Sequence, residues 1–309
     1  MIISSMPAGA EMVAGSPRRV CSVGATLGEG PVWVARENAL WFVDIKEQRI
    51  YRFDPAIGAL EHWDAPSQIG WVLPEKGSGF IAGMQRGVER FDPATGGFTP
   101  LHTPEAHLPV NRLNDATTDA RGRILFGSMD DSEAEFTGRL YALDANGVVD
   151  TGLPPVSITN GPTVSPDGKT LYHTDTLGKV IHAVEVHDDG SLGAMRVFAT
   201  IEEGAGYPDG PVVDSEGCVW SGLFFGWGVR RYAPDGALLE TVRLPVSNVT
   251  KIAFGGPDLK TAFVTTARKG LDAEALAAQP EAGDLFAFDV DVPGLPVTEA
   301  VVSSGTPTT

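Results

Sequence analysis

Three stretches decide the fold: LGEGPVWV at 27–34, TNGPTV at 159–164 and PDGPVV at 208–213. Each sets an oxygen-bearing side chain (Glu29, Asn160, Asp209) directly before Gly-Pro and runs on into a short apolar segment that reads as a strand. Gly-Pro punctuates a chain, and proline, lacking an amide hydrogen, sits only where a strand begins or at its edge. The three residues therefore hold one position in three copies of one structural unit, where a loop turns into a strand. Copies arranged about an axis would bring three oxygen donors to it. That is a metal site made by symmetry.

Working outward, the unit recurs six times, and its first copy runs LGEGPVWVARENALWFVDIKEQRIYRFDPAIG from Leu27. The copies begin their first strands near residues 29, 70, 114, 160, 209 and 250, at intervals of 41, 44, 46, 49 and 41. A period in the forties with three or four strands and no helical repeat is that of propeller blades around a channel. Turn signals fall between the strands at Asp54-Pro55, Asp92-Pro93, Asn146-Gly147, Asp167-Gly168, Asp189-Gly190 and Asp235-Gly236. The expected fold is all-β, a six-bladed β-propeller with a central metal-binding channel. Residues 1–18 read as a flexible N-terminal tail and residues 19–309 as a single propeller domain. Arg19-Val20-Cys21-Ser22-Val23 reads as an extra strand that completes the sixth blade beside a C-terminal strand near Val297–Val302. Such closure would remove exposed sheet edges. Leu271–Gln279 is predicted as a short helix in a surface insertion.

Composition agrees with many turns between short strands: 37 Gly and 23 Pro in 309 residues, with 42% hydrophobic residues to fill a large core. Forty acidic against 23 basic residues give a net charge of −17, which argues against nucleic acid or an anionic membrane as partner. Cys21 and Cys218 lie far apart with no metal-ligand spacing and read as free thiols in a reducing compartment. No run of eighteen apolar residues and no signal-peptide pattern is present, so the expected location is cytoplasmic.

Glu29, Asn160 and Asp209 make an all-oxygen ligand set, suited to hard divalent cations. Ca, Mg and Mn fit it well, Fe(II) less firmly, and Zn ranks lower on ligand type. Three protein ligands leave positions open for water or substrate, as in catalytic sites. One such triplet alone is a turn cap. Three in equivalent positions are a ligand set. The third copy carries Arg112-Leu113-Asn114-Asp115 at the same place. Asn114 should face the axis, and Arg112 adds a fixed cation with five donors, a pair fit to hold a polyhydroxylated or carbonyl-bearing ligand. Asp115 reads as a structural acceptor for neighbouring backbone amides.

With these motifs together, the chain resembles the SMP-30/gluconolactonase family from about Val20 to its C-terminal strand. The resemblance is carried by residues 27–33, Arg112-Leu113-Asn114-Asp115-Ala116, Asn160-Gly161-Pro162, residues 165–172 and Tyr207-Pro208-Asp209-Gly210. It is similar more narrowly to bacterial xylonolactonases through residues 158–162, 172–176 and 254–260. The resemblance implies a six-bladed propeller with one divalent metal ion held by Glu29, Asn160 and Asp209, with Arg112 and Asn114 binding substrate. It implies hydrolysis of an aldonolactone, most closely D-xylonolactone or a related pentono- or hexonolactone, to the open-chain aldonic acid. Asp209 is the candidate catalytic residue; removing a proton from the attacking water and orienting a hydroxide on the metal both stand open. A broader metal-dependent esterase or phosphotriesterase, and a non-catalytic calcium-binding propeller, are the alternatives. The implied partner is a small sugar lactone met by a monomer, with neither nucleic acid nor membrane.

Other residues carry less weight. His173 reads as packed in an inner strand. Trp71, Phe225 and Trp227 are candidates for the pocket wall or the core. Asp130, Asp131 and Glu133 read as contacts to sugar hydroxyls or as an exposed acidic loop.

Overall fold

A computed structural model of the protein describes residues 15–302. Residues 1–14 of the expected tail lie outside this range. After β1 (Arg18–Cys21), the strands come in runs of four. The first sheet holds β2 (Gly28–Val34), β3 (Ala39–Asp44), β4 (Arg49–Asp54) and β5 (Ala59–Asp64). The second holds β6 (Ile69–Pro74), β7 (Phe80–Met84), β8 (Gly87–Asp92) and β9 (Gly97–His102). In the third are β10 (Asn111–Thr118), β11 (Ile124–Asp130), β12 (Leu140–Asp144) and β13 (Gly147–Asp150). The fourth comprises β14 (Thr159–Val164), β15 (Thr170–Asp175), β16 (Val180–Val186) and β17 (Leu192–Thr200). The fifth comprises β18 (Tyr207–Val213), β19 (Val219–Phe224), β20 (Gly228–Tyr232) and β21 (Leu238–Arg243). The sixth runs β22 (Val249–Gly255), β23 (Thr261–Thr266), β24 (Leu285–Asp289) and then β1.

The first strand of each sheet touches the first strand of the next, from β2 through β6, β10, β14, β18 and β22 and back to β2. The sheets are the six blades of a closed β-propeller. Inner strands have both faces covered, so β2, β3, β6 and β22 are buried along their whole length while β5 is mostly exposed. Aromatic rings fill the wedges between blades. Trp41 packs on Phe80 at 4.1 Å and on Trp63 at 5.0 Å, Trp33 stacks on Phe263 at 5.9 Å, and Trp220 meets Phe254 edge-on at 5.8 Å. Each such ring contributes at most about 4–6 kcal/mol by area. The turns consume part of the acidic excess. Asp54, Asp92, Asp144, Asp167, Asp189 and Asp235 each accept the amide two residues ahead, at 2.7–3.0 Å.

Ring closure uses the N-terminal strand as expected, but with a different partner. β1 pairs with β24, Arg19 opposite Phe286, and not with Val297–Val302. Pro293 and Pro296 follow β24, and proline cannot continue a ladder, so the chain leaves the blade there. It crosses to blades two and three, where the Ala300 amide donates to Pro74 at 2.7 Å and the Val301 amide to Gly122 at 2.8 Å. The strand also opens one residue earlier than the expected boundary, at Arg18. Asp284 fastens this junction by accepting the Val23 and Gly24 amides at 2.8 and 2.9 Å. The predicted helix is α1 (Ala273–Ala278), capped by Asp272, whose carboxylate accepts the Ala275 amide at 2.9 Å. Among the described residues both cysteines are free, and no helix is long and apolar enough to cross a membrane.

Candidate functional site

Every innermost strand carries one extra residue relative to its neighbour. The shifts fall at Glu29/Val32, Ile69/Trp71, Leu113/Ala116, Asn160/Thr163, Pro208/Pro211 and Val249/Ile252. A bulge bends a strand and re-aims its side chains, and here it recurs six times at the channel. Gly161 follows Asn160 with φ +75°, and a Cβ there would stand 2.8 Å from the Pro211 ring of the next blade. Glycine meets both demands.

Glu29, Asn114, Asn160 and Asp209 are all buried, as is Arg112. A hydrogen-bonded chain fixes the amides. Asn114 Nδ2 donates to Asn160 Oδ1 at 2.9 Å and to the Thr159 carbonyl at 2.7 Å. Asn160 Nδ2 donates to Thr176 at 2.9 Å, and the Thr176 hydroxyl donates to the carbonyl of Pro208, next to Asp209. At the other end the Arg112 guanidinium donates to Asn114 Oδ1 and, through Nε, to Asp131 at 2.7 Å. Asn114 and Asn160 are thus joined directly, and Arg112 orients the first of them.

The two carboxylates are held differently. Among the described residues Glu29 Oε2 accepts only the Gly30 amide, and Asp209 Oδ1 only the Gly210 amide, each at 2.9 Å. Burial raises the Glu29 pKa well above the usual range, and the charges of Asp209 and Asp115 raise it further. Burial pushes Asp209 up to about 7; the Gly210 amide opposes this, Asp115 adds to it, and Lys251 and Lys269 oppose it. Two buried carboxylates in mutual electrostatic contact, without a cation bonded to either among the described residues, are costly unless a positive charge joins them. Asn160, linked through Thr176 to the Pro208 carbonyl next to Asp209, carries an oriented amide oxygen. This oxygen set fits a hard divalent cation. Among the described residues no three His, Cys, Asp or Glu side chains gather at metal-holding spacing, so a cation here would be held by two carboxylates and amide oxygens.

The acidic loop after β11 divides its labour. Asp130 accepts the Ser132, Ala134 and Glu135 amides and builds the loop. Asp131 gathers Arg112, Lys46 at 2.7 Å and Gln68 at 2.9 Å, and Glu133 pairs with Lys269 of the sixth blade. His173 is buried, its pKa lowered to about 4 by burial and then by His182, and its Nδ1 finds no hydrogen-bond partner among the described residues. Trp71 lies in the core against Phe126, while Phe225 is exposed and Trp227 half-buried. Asp115 accepts the Ala116 and Gly161 amides at 2.8 Å, and it also receives Lys251. Lys251 escaped the reading of motifs, though it stands in the sixth unit where Gly30, Gly161 and Gly210 stand in three others. Lys46, Gln68 and Lys269 lie in or beside loops and reach the site from other blades, whereas Thr176 follows β15 in the blade of Asn160 itself. A cavity of about 650 Å³ is lined by Gly30, Pro162, Pro211 and Lys251, and not by Glu29, Asn114, Asn160 or Asp209.

Comparison with known proteins agrees with the propeller fold. The SMP-30/Gluconolactonase/LRE-like region matches residues 27–268. The 6-deoxy-6-sulfogluconolactonase of Pseudomonas putida is 34% identical over 272 residues, 87% of this chain and 93% of that protein. The pentonolactonase XacC of Haloferax volcanii is 35% identical over 292 residues, 93% of this chain and 99% of that protein. A solved calcium-binding regucalcin from Agrobacterium tumefaciens superposes with a TM-score of 0.88 at 28% identity, covering 92% of this chain and 97% of that one. The chain belongs to the SMP-30/gluconolactonase/LRE-like family.

Proposed function

We propose that the protein is a sugar lactonase that opens the cyclic ester of an aldonic acid, with D-xylonolactone or a related pentono- or hexonolactone as substrate. Glu29, Asn160 and Asp209 would hold one divalent cation, and Asn114 lies beside them. The observation that carries this reading is the oriented Arg112–Asn114–Asn160 chain, linked through Thr176 to the backbone beside Asp209, together with two buried carboxylates to which no Lys or Arg is bonded among the described residues. When bound, the cation polarises the lactone carbonyl and stabilises the charge that develops on its oxygen. Arg112 holds Asn114 and Asp131 through NH1 and Nε, which leaves its other terminal nitrogen to donate to a ring hydroxyl. Asp209 Oδ2 accepts no hydrogen bond among the described residues, because the Gly210 amide takes Oδ1. That oxygen is the one to receive or orient a proton of the attacking water. The water oxygen bonds to the carbonyl carbon, the ring C–O bond breaks, and the proton ends on the departing hydroxyl.

A pH-stat assay of xylono-, arabinono-, galactono- and gluconolactones, with and without chelator, tests the proposal. Turnover that chelator abolishes and a divalent cation restores is the expected result. No rate above spontaneous opening with any divalent cation would refute it. Likeness to a calcium-binding regucalcin favours one second reading, a propeller that binds Ca²⁺ without catalysis. Calcium uptake with no turnover of any lactone would select it.

A further inference from the structure

The residue after each channel position sorts the blades into two sets. Blades one, four and five place Gly30, Gly161 and Gly210 there, whereas blades two, three and six place Trp71, Asp115 and Lys251. Blades three and six face each other across the ring, so Asp115 and Lys251 form an ion pair strung over the channel. Both side chains are buried, at 1% and 8% exposure. Asp115 Oδ2 accepts the Gly161 amide at 2.8 Å, directly after Asn160. The stem of Lys251 passes where a Cβ on Gly210 would lie 2.6 Å away, directly after Asp209. The pair thus braces the backbone beside two of the three proposed ligands.

Charge gives the pair a second role. Glu29, Asp209 and Asp115 are three buried acids within electrostatic reach of one another, and Lys251 is the ammonium that acts on both Glu29 and Asp209. Three carboxylates carry −3. Lys269 also acts on Asp209 but is offset by its partner Glu133, so one ammonium and one dication supply the matching +3. A buried cluster is tolerated best when it is neutral.

We propose that Lys251, paired with Asp115, is a positioning residue that matches the channel site to a cation of charge two. This rests on the cation reading above. Removing the ammonium leaves an excess negative charge, which favours a trivalent over a divalent ion; removing the Asp115 charge does the reverse. Removing both restores the balance, because a charge pair deleted together leaves no buried orphan.

The test measures Ca²⁺ and Tb³⁺ affinities by calorimetry and terbium luminescence on the whole chain, with circular dichroism to check folding. In Lys251→Met the preference for Tb³⁺ over Ca²⁺ should rise about tenfold or more. In Asp115→Asn it should fall by a similar factor, and in the double variant it should return to within about threefold of the parent. A brace without the charge role would weaken both ions alike. An unchanged ratio in both folded single variants, or a double variant with the ratio of Lys251→Met, would overturn the inference. A parent protein that takes up neither ion would overturn the cation reading and this inference with it.

Discussion

Blades one, four and five bring Glu29-Gly30-Pro31, Asn160-Gly161-Pro162 and Asp209-Gly210-Pro211 to the channel. Blades two, three and six bring Gly70-Trp71-Val72, Asn114-Asp115-Ala116 and Thr250-Lys251-Ile252. The backbone is nearly the same in both sets, since the bulge falls in all six inner strands. What differs is the bulk after the channel position. Three glycines open space, and an indole and an ion pair occupy the interior of the other blades. A repeated backbone thus supplies position, and the departures from the repeat supply chemistry.

The comparison is broken most severely by removing a proposed ligand from the first set. Asp209→Ala should lower kcat by about 10³-fold or more, read by pH-stat on the preferred lactone. Glu29→Gln keeps the shape and loses one charge, so calorimetry should show divalent cation affinity falling about a hundredfold. Gly161→Ala forces a side chain into φ +75° and against Pro211; it should cost about 1–3 kcal/mol in denaturant unfolding. The mildest probe is pH. In the cation-free protein Asp209 keeps its proton up to about 7, so a cation must displace it. Affinity should fall as pH drops through that value, and the raised carboxyl of Glu29 adds to the fall. The sign for stability is opposite. A carboxyl raised from 3.8 to about 7 stabilises the cation-free fold fully below the lower value and loses that contribution as pH rises through the higher one. Unfolding titrations with chelator present would show it, and a cation-free protein steadier at pH 8 than at pH 5 would contradict it.

Residues whose requirements are local were legible in the chain. Glu29, Asn160 and Asp209 announce themselves because Gly-Pro constrains the backbone within two residues, and the period of the units follows from turns that Asp side chains cap. The choice of β24 over Val297–Val302 was not legible from apolar character, since LFAFD and VTEAVV are both fit to be strands. The two prolines between them decide it. Lys251 was hidden for another reason. Its partner Asp115 is 136 residues away, and nothing near either one signals a pair that only ring closure creates. The same holds for Lys269 over Glu133, whose ion pair joins opposite blades.

The sixth blade takes its outermost strand from the opposite end of the chain. During synthesis β1 emerges first and waits while roughly 270 further residues are made before β24 exists to pair with it. At ordinary translation speeds that delay is on the order of ten to fifty seconds. A nascent chain therefore holds one bare strand edge throughout, and a polypeptide stopped after the fifth blade never gains the surface that would cover it.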